Sequence, residues 1–134
     1  MGYLSEVAIT VPNEAFKELI EKAKAENSEA YEFIKNGSVY QTDKYTTMHF
    51  DWVKWYDGYP EVQFVEAFIR DVPYVFKRVG EDYDDTECHE GDIEDYDIYT
   101  CVHIVRCLDV ESAGELITIE GIGEDGNGYR QQAI

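Results

Sequence analysis

The chain has 134 residues, 44% of them hydrophobic and 14% aromatic, which predicts one folded domain with one core. Its 29 acidic residues outnumber its 11 Lys and Arg and give a formal net charge of -18, which disfavours direct binding to nucleic acid. No stretch approaches the roughly 20 apolar residues of a membrane span, and no secretory pattern opens the chain, so we expect a soluble, cytoplasmic protein.

The first half of the chain alternates between strand and helix patterns. Residues 3–11 alternate apolar and polar side chains, as a half-buried strand does. Residues 13–24 and 28–34 repeat apolar side chains at helical spacing and predict two helices. Residues 39–56 are rich in β-branched and aromatic side chains and predict a long strand or a hairpin.

The second half predicts a helix followed by further strands. Pro60 suits the first position of a helix that ends near Asp71, and residues 74–79 have strand character. Residues 97–108 are dense in β-branched side chains and predict one long strand, and residues 116–120 predict another. Residues 121–134 contain four glycines within their first eight positions, a composition typical of a flexible C-terminal tail.

This order of elements predicts a fold class for the whole chain. Strands and helices that alternate in this way fit a single α+β domain over residues 1–134, with two to three helices packed on a mainly antiparallel sheet. A βαββαβ, ferredoxin-like core is one candidate for its topology.

The segment from Gly80 to Asp97 holds ten carboxylates in eighteen positions and no Lys or Arg. Disordered acidic tails lack aromatic and aliphatic residues, whereas this segment contains Tyr83, Ile93 and Tyr96, so a shaped surface is expected. We expect it to connect two strands and to contact a positively charged partner, with Tyr83 and Tyr96 as apolar anchors. The phosphate-like acceptors would be Glu81, Asp82, Asp84, Asp85, Glu87, Glu90, Asp92, Glu94, Asp95 and Asp97.

The spacing of these acids limits how well the segment alone can imitate nucleic acid. Fully extended, it would carry one carboxylate per roughly 6 Å, whereas one DNA strand carries one phosphate per about 3.4 Å of axis. A phosphate-like surface therefore requires a folded segment or further acids on the same side; the alternative is that the acids only cover a solvated face. The further acids considered are Asp57, Glu61, Glu66, Asp109, Glu111, Glu124 and Asp125.

Metal and enzyme motifs are weak in this sequence. The acidic segment lacks the glycine and the final Glu of an EF-hand calcium loop. Cys101, His103 and Cys107 would share one face of the predicted 97–108 strand, but they lack paired CxxC spacing, so core packing is favoured over zinc. No nucleophile, metalloprotease or phosphate-loop motif is present, and we expect neither enzyme activity nor a cofactor or metal.

Three segments carry a resemblance to a known group of proteins. These are the opening MGYLSEV, the central WVKWYDGYPEV and the later FKRVGEDYDDTE. Together they resemble small acidic proteins of unassigned function that are encoded in bacteriophages and prophages. The resemblance implies a phage setting, in which small acidic proteins are often inhibitors of host defence, including anti-restriction and anti-CRISPR proteins that imitate nucleic acid.

Two functional hypotheses follow from charge, aromatic content and resemblance. The first is an acidic phage inhibitor that binds a basic nucleic-acid-binding host protein, such as a nuclease or its effector complex, and blocks its nucleic-acid site. The second is a phage accessory or assembly protein that binds its partner through Trp55, Tyr56 and Tyr59, with the acids serving only solubility.

Overall fold

The computed structural model describes residues 2–82, 84–91, 93, 95–104 and 108–122. Six strands of this part form one antiparallel sheet, and two short strands form a separate pair. In chain order the elements are β1 (Ser5–Pro12), α1 (Asn13–Glu26), α2 (Ser28–Asn36), β2 (Ser38–Gln41), β3 (Tyr45–Val53), α3 (Pro60–Ile69), β4 (Tyr74–Gly80), β5 (Thr86–Gly91), a 3₁₀ helix (Tyr96–Thr100), β6 (His103–Ile104), β7 (Leu108–Asp109), a second 3₁₀ helix (Glu111–Ala113) and β8 (Glu115–Ile117).

The sheet confirms the α+β prediction and gives its topology. Its strand order is β5-β4-β1-β3-β2-β8, and every neighbouring pair is antiparallel. The four inner strands, with α1 and α2 between β1 and β2 and with α3 between β3 and β4, form the βαββαβ arrangement of ferredoxin-like folds. β5 and β8 extend this core at its two edges.

The helices cover one face of the sheet and form the larger core with it. Phe16 and Leu19 of α1, Ile34 of α2 and Val65 of α3 are fully buried there because their apolar positions recur at helical spacing. From the sheet, the same face contributes alternate residues, as the period of a strand requires. These include Val7, Ile9, Val11, Met48, Phe50 and Phe76.

The other face of the sheet is covered by described residues that lie between β5 and β8 in the chain. The prediction of one long strand over residues 97–108 is wrong: the described part of this range is a 3₁₀ helix, β6 and the first residue of β7. Asp95 begins the helix by accepting a hydrogen bond from the Asp97 N–H at 3.0 Å. The apolar side chains of the range are buried by lying over the sheet instead of pairing with it. These are Ile98, Cys101, Val102 and Leu108.

The predicted start of α3 agrees with the structure, and the bounds of the last predicted strand do not. Pro60 is the first residue of α3. Asn27 caps α2, since its side-chain oxygen accepts a hydrogen bond from the Ala30 N–H at 3.0 Å. The strand predicted over residues 116–120 is shorter and begins earlier, at Glu115.

The predicted C-terminal tail lies mostly outside the described residues. Its second residue, Ile122, is fully buried in the larger core, and its carbonyl oxygen accepts a hydrogen bond from Lys24 Nζ at 2.8 Å. The fold therefore extends at least to Ile122.

Candidate partner-binding cleft

The sequence predicted that the acidic segment is one connection between two strands. The structure shows instead that the segment contains a strand of its own. The centre of the segment is β5, which pairs with β4 in a hairpin whose turn includes residues 81, 82, 84 and 85. The register places Glu87 opposite Arg78 and His89 opposite Phe76. Strand pairing was missed because Thr86–Gly91 contains no aliphatic or aromatic apolar residue and so lacks the apolar alternation that marks a strand.

The predicted partner-binding acids therefore separate into two groups. Glu81, Asp82 and Asp84 are exposed in the turn, and Asp85 and Glu87 are half-buried beside it. Asp95 and Asp97 lie beyond β5, beside Lys44, and Glu90 is exposed on β5 between the two groups. The predicted residues Tyr83, Asp92 and Glu94 lie outside the described residues. Tyr96, the other predicted anchor, is 75% exposed.

Arg78 organises the first group of acids. Its Nη2 and Nη1 donate to the two carboxylate oxygens of Asp85 at 2.8 and 3.2 Å, and its Nε donates to Glu87 Oε1 at 2.9 Å. Nη1 also donates to the Ser5 hydroxyl at 2.9 Å. The guanidinium group thus holds Asp85 and Glu87 at the sheet surface. Because both carboxylates are already paired with Arg78, neither could bind a positively charged group of a partner without competing with Arg78.

Hydrogen bonds extend this network in both directions. Tyr3 donates its hydroxyl proton to Asp85 Oδ2 at 2.5 Å. The hydrogen bonds from Arg78, and then this bond from Tyr3, lower the pKa of Asp85. At the other end, His89 Nε2 lies 3.1 Å from Glu87 Oε2, and its Nδ1 lies 3.0 Å from the Tyr74 hydroxyl. The polar row runs along the sheet edge, from the first residues of the chain to the start of β4.

An open cleft separates this polar row from α3. It consists of two adjoining cavities of about 660 and about 440 Å³. Both cavities are lined by Asp57, Glu66 and Glu87, and the smaller one also reaches Arg78 and Asp85. With Arg70 in the larger cavity, four carboxylates face two guanidinium groups, so the cleft has surplus negative charge.

Glu66, on α3, is an acid of the cleft whose pKa is raised. Burial of its side chain and the nearby Asp57 carboxylate raise its pKa, and an interaction with the side chain of Trp55 opposes this rise. Both causes of the rise disfavour the charged form of Glu66. A cation that entered the cleft would relieve this repulsion.

The second group of acids is already neutralised in part by the protein itself. Lys44 Nζ lies 3.2 Å from both Asp95 Oδ2 and Asp97 Oδ2, and the two carboxylates raise the pKa of Lys44. Burial and a hydrogen bond with Asp95 raise the pKa of Tyr45 to about 12. The acids near Lys44 thus fasten the 3₁₀ helix to the sheet.

The aromatic residues of the second hypothesis are placed differently from the expectation. Trp55 is only 9% exposed and packs among Phe33, Phe50 and Phe76, so it cannot be an exposed anchor. Tyr56 is half-buried, and its hydroxyl accepts a hydrogen bond from the Tyr3 N–H at 2.6 Å. Tyr59 is exposed and lies against Tyr56, with 5.2 Å between their ring centroids.

The cysteine and histidine residues considered for zinc do not converge within the described residues. Cys101 is buried in the smaller core, where burial raises its pKa, whereas His103 is exposed on β6. Cys107 lies outside the described residues. Across the part of the chain that the structure describes, the metal-ligating side chains that do cluster are Glu6, His49 and Asp51, a set that the sequence did not indicate.

Comparison with known proteins finds no matching family model, no matching curated protein and no matching solved structure. In the described residues, no helix is long and apolar enough to cross a membrane. What this chain does is therefore inferred from its own residues.

Proposed function

We propose that this chain is an acidic, non-enzymatic inhibitor of phage origin that acts in the host cytoplasm. Its partner would be a basic nucleic-acid-binding defence protein, of the kind that anti-CRISPR or anti-restriction proteins target. Binding would block the partner's nucleic-acid site by charge mimicry. The observation that carries this proposal is the convergence of acids from three parts of the sequence on one cleft and the hairpin turn beside it.

The contact surface that we assign combines the turn and the cleft. We call it the hairpin–cleft surface, and it contains Asp57 and Glu66 of the cleft and Glu81, Asp82 and Asp84 of the turn. The turn and the cleft are adjacent because Tyr3 lines the smaller cavity and accepts a hydrogen bond from the Asp82 N–H at 3.0 Å. Glu81 also accepts a hydrogen bond from the Leu4 N–H.

Folding adds further acids beside the acidic segment, whose own charge spacing is too sparse to imitate nucleic acid. The strand that pairs with β5 is β4, which carries Lys77 and Arg78 and no acid, so pairing within the hairpin does not raise the density of negative charge. Asp57 and Glu66, two of the further acids considered from the sequence, line the same cleft as Asp85 and Glu87. Acids gathered in this way would release counterions from a basic groove and steer association over long range.

Two charge-matched variants test the proposal. The first, D57N/E81Q/D82N/D84N, removes four charges from the hairpin–cleft surface. The control, E18Q/E21Q/E26Q/E29Q, removes four charges from exposed positions of α1 and α2. DNA cleavage is measured with a Cas9–guide RNA complex and with a type I restriction endonuclease, and half-inhibitory concentrations are compared.

The unchanged protein is expected to inhibit at least one nuclease of this panel. The hairpin–cleft variant should need more than about tenfold more protein, because each lost charge contact contributes about 0.5 kcal/mol or more. The α1–α2 control should inhibit like the unchanged protein. Inhibition of neither nuclease by the unchanged protein, or equal losses in both variants, would contradict the proposal.

The second hypothesis has narrower support. Tyr59 beside Tyr56, and Trp52 at 40% exposure, present aromatic surface that an assembly partner could contact. Binding through these rings should change little between low and high salt, whereas binding through the hairpin–cleft surface should weaken strongly. Salt dependence of partner binding therefore separates the two functions.

A further inference from the structure

Glu6, His49 and Asp51 form a cluster on the face of the sheet opposite the helices. One ligand atom from each of the three side chains lies within 4.8 Å of the others, and Glu6 Oε2 is 2.6 Å from His49 Nε2. Glu6 is only 4% exposed, whereas Asp51 is exposed to solvent. The cluster is thus closed at Glu6 and open at Asp51.

Strand pairing brings these three residues together. β1 and β3 are antiparallel, with Ala8 opposite His49 and Val7 opposite Phe50. The pairing then shifts, so that two steps along β1 from Val7 to Ser5 correspond to three steps along β3 from Phe50 to Val53. Glu6 therefore faces the bulged part of β3 that begins at Asp51.

The carboxylate of Glu6 is fixed in position by the backbone. Its Oε1 accepts a hydrogen bond from the Leu108 N–H at 3.0 Å, which leaves Oε2 directed at the imidazole of His49. Among the described residues, no Lys or Arg forms an ion pair with Glu6. A buried carboxylate whose hydrogen-bond partners are an imidazole and a backbone N–H favours a positive charge at this point.

We propose that Glu6, His49 and Asp51 bind a divalent first-row transition metal ion such as Zn²⁺ or Mn²⁺. One imidazole nitrogen and two carboxylate oxygens suit these ions, whereas Ca²⁺ and Mg²⁺ prefer oxygen ligands alone. The Leu108 N–H orients the Glu6 ligand from outside the coordination shell. Water would complete the coordination on the exposed side of Asp51.

Metal entry requires only a small local adjustment. Two ligand atoms that are each about 2.1 Å from one ion lie roughly 3.0–3.4 Å from each other. The distance between Glu6 Oε2 and His49 Nε2 must therefore increase by roughly half an ångström. Asp51 is free to turn inward because it is exposed. Binding of the ion would replace the hydrogen bond between Glu6 Oε2 and His49 Nε2.

To test this, the full chain is first treated with a chelator and is then titrated with ZnCl₂ and with MnCl₂, and calorimetry measures the binding. Excess MgCl₂ is present throughout, so that the many surface carboxylates are already occupied by a hard cation. We expect one transition-metal site per chain and a higher melting temperature with metal, since a ligand of the folded state stabilises it. The variant D51N, at an exposed position, removes one ligand, and D71N is the control with the same charge change at another exposed position.

D51N should lower the affinity more than about tenfold, and D71N should leave it unchanged. A histidine signal in the NMR spectrum should shift on titration with zinc in the unchanged chain, and H49Q should lose this signal while keeping its fold by circular dichroism. Absence of a site, or equal affinity of D51N and the unchanged chain, would overturn the proposal. None of these measurements depends on the proposed inhibitory function.

Discussion

For single residues of the site, the sequence predicts the charge of a side chain but not the partner that it contacts. The acids of the segment could be named from the sequence, because charge is a property of composition. That Arg78 holds Asp85 and Glu87 could not be predicted, since it depends on the register between β4 and β5. The pair of Glu6 and His49 was missed for the same reason: 43 positions separate them, and only the pairing of β1 and β3 joins them.

We predict that the ionised side chain of Glu66 lowers the free energy of unfolding at neutral pH. Its pKa is raised in the folded protein by burial and by Asp57, so ionisation of Glu66 costs stability as the pH rises above the usual range of glutamate. The substitution E66Q removes this cost. At pH 7 we expect its free energy of unfolding to exceed that of the unchanged chain by about 0.5–1 kcal/mol, since partial exposure limits the effect.

The difference between E66Q and the unchanged chain should shrink toward zero below about pH 4, where Glu66 is protonated in both the folded and unfolded states. Urea unfolding at pH 7 and at pH 3.5–4 measures it. E61Q, on the same helix, controls for the loss of one charge, and an equal gain in E61Q would contradict this explanation.

At the scale of elements, strongly patterned segments were predictable and context-dependent ones were not. β1, α1 and α3 follow from their apolar periodicity, and α3 begins at the predicted Pro60. β5 was missed because its sequence lacks apolar alternation and it forms by pairing with β4. The range 97–108 was overpredicted because its β-branched side chains are buried against the second face of the sheet, a role that needs no strand.

The connection that leads into β8 requires glycine at position 114. Gly114 has a φ of 100°, and a Cβ added there would lie 2.2 Å from the Gln41 carbonyl oxygen, which belongs to the backbone of β2. The substitution G114A should therefore destabilise the fold by about 2 kcal/mol or more, through both strain and the clash. Denaturant unfolding measures the loss.

Gly58 is a suitable control for this substitution. No atom lies within 4 Å of a Cβ added at Gly58, and its φ is not in the positive range. G58A should change the free energy of unfolding by less than about 0.5 kcal/mol. If G114A lowers the free energy of unfolding no more than G58A does, the close approach of position 114 to β2 does not constrain the residue there.

At the scale of the whole molecule, the net charge of -18 is not one uniform acidic surface. One part of the acidic segment is fastened to Lys44 and serves the fold. Another part meets Asp57 and Glu66 at the cleft, and the turn beside it presents Glu81, Asp82 and Asp84 to solvent. The mimicry of nucleic acid that we propose therefore belongs to the hairpin–cleft surface and not to the segment as a whole.

Competition with DNA on the inhibited nuclease tests this central claim most directly. The affinity of the chain for that nuclease is measured at increasing NaCl, with and without the duplex that the enzyme binds. We predict that chain and duplex exclude one another and that affinity falls steeply with salt, with a smaller salt slope for D57N/E81Q/D82N/D84N than for the α1–α2 control. Simultaneous binding of chain and duplex, or one common salt slope for all three proteins, would contradict the account.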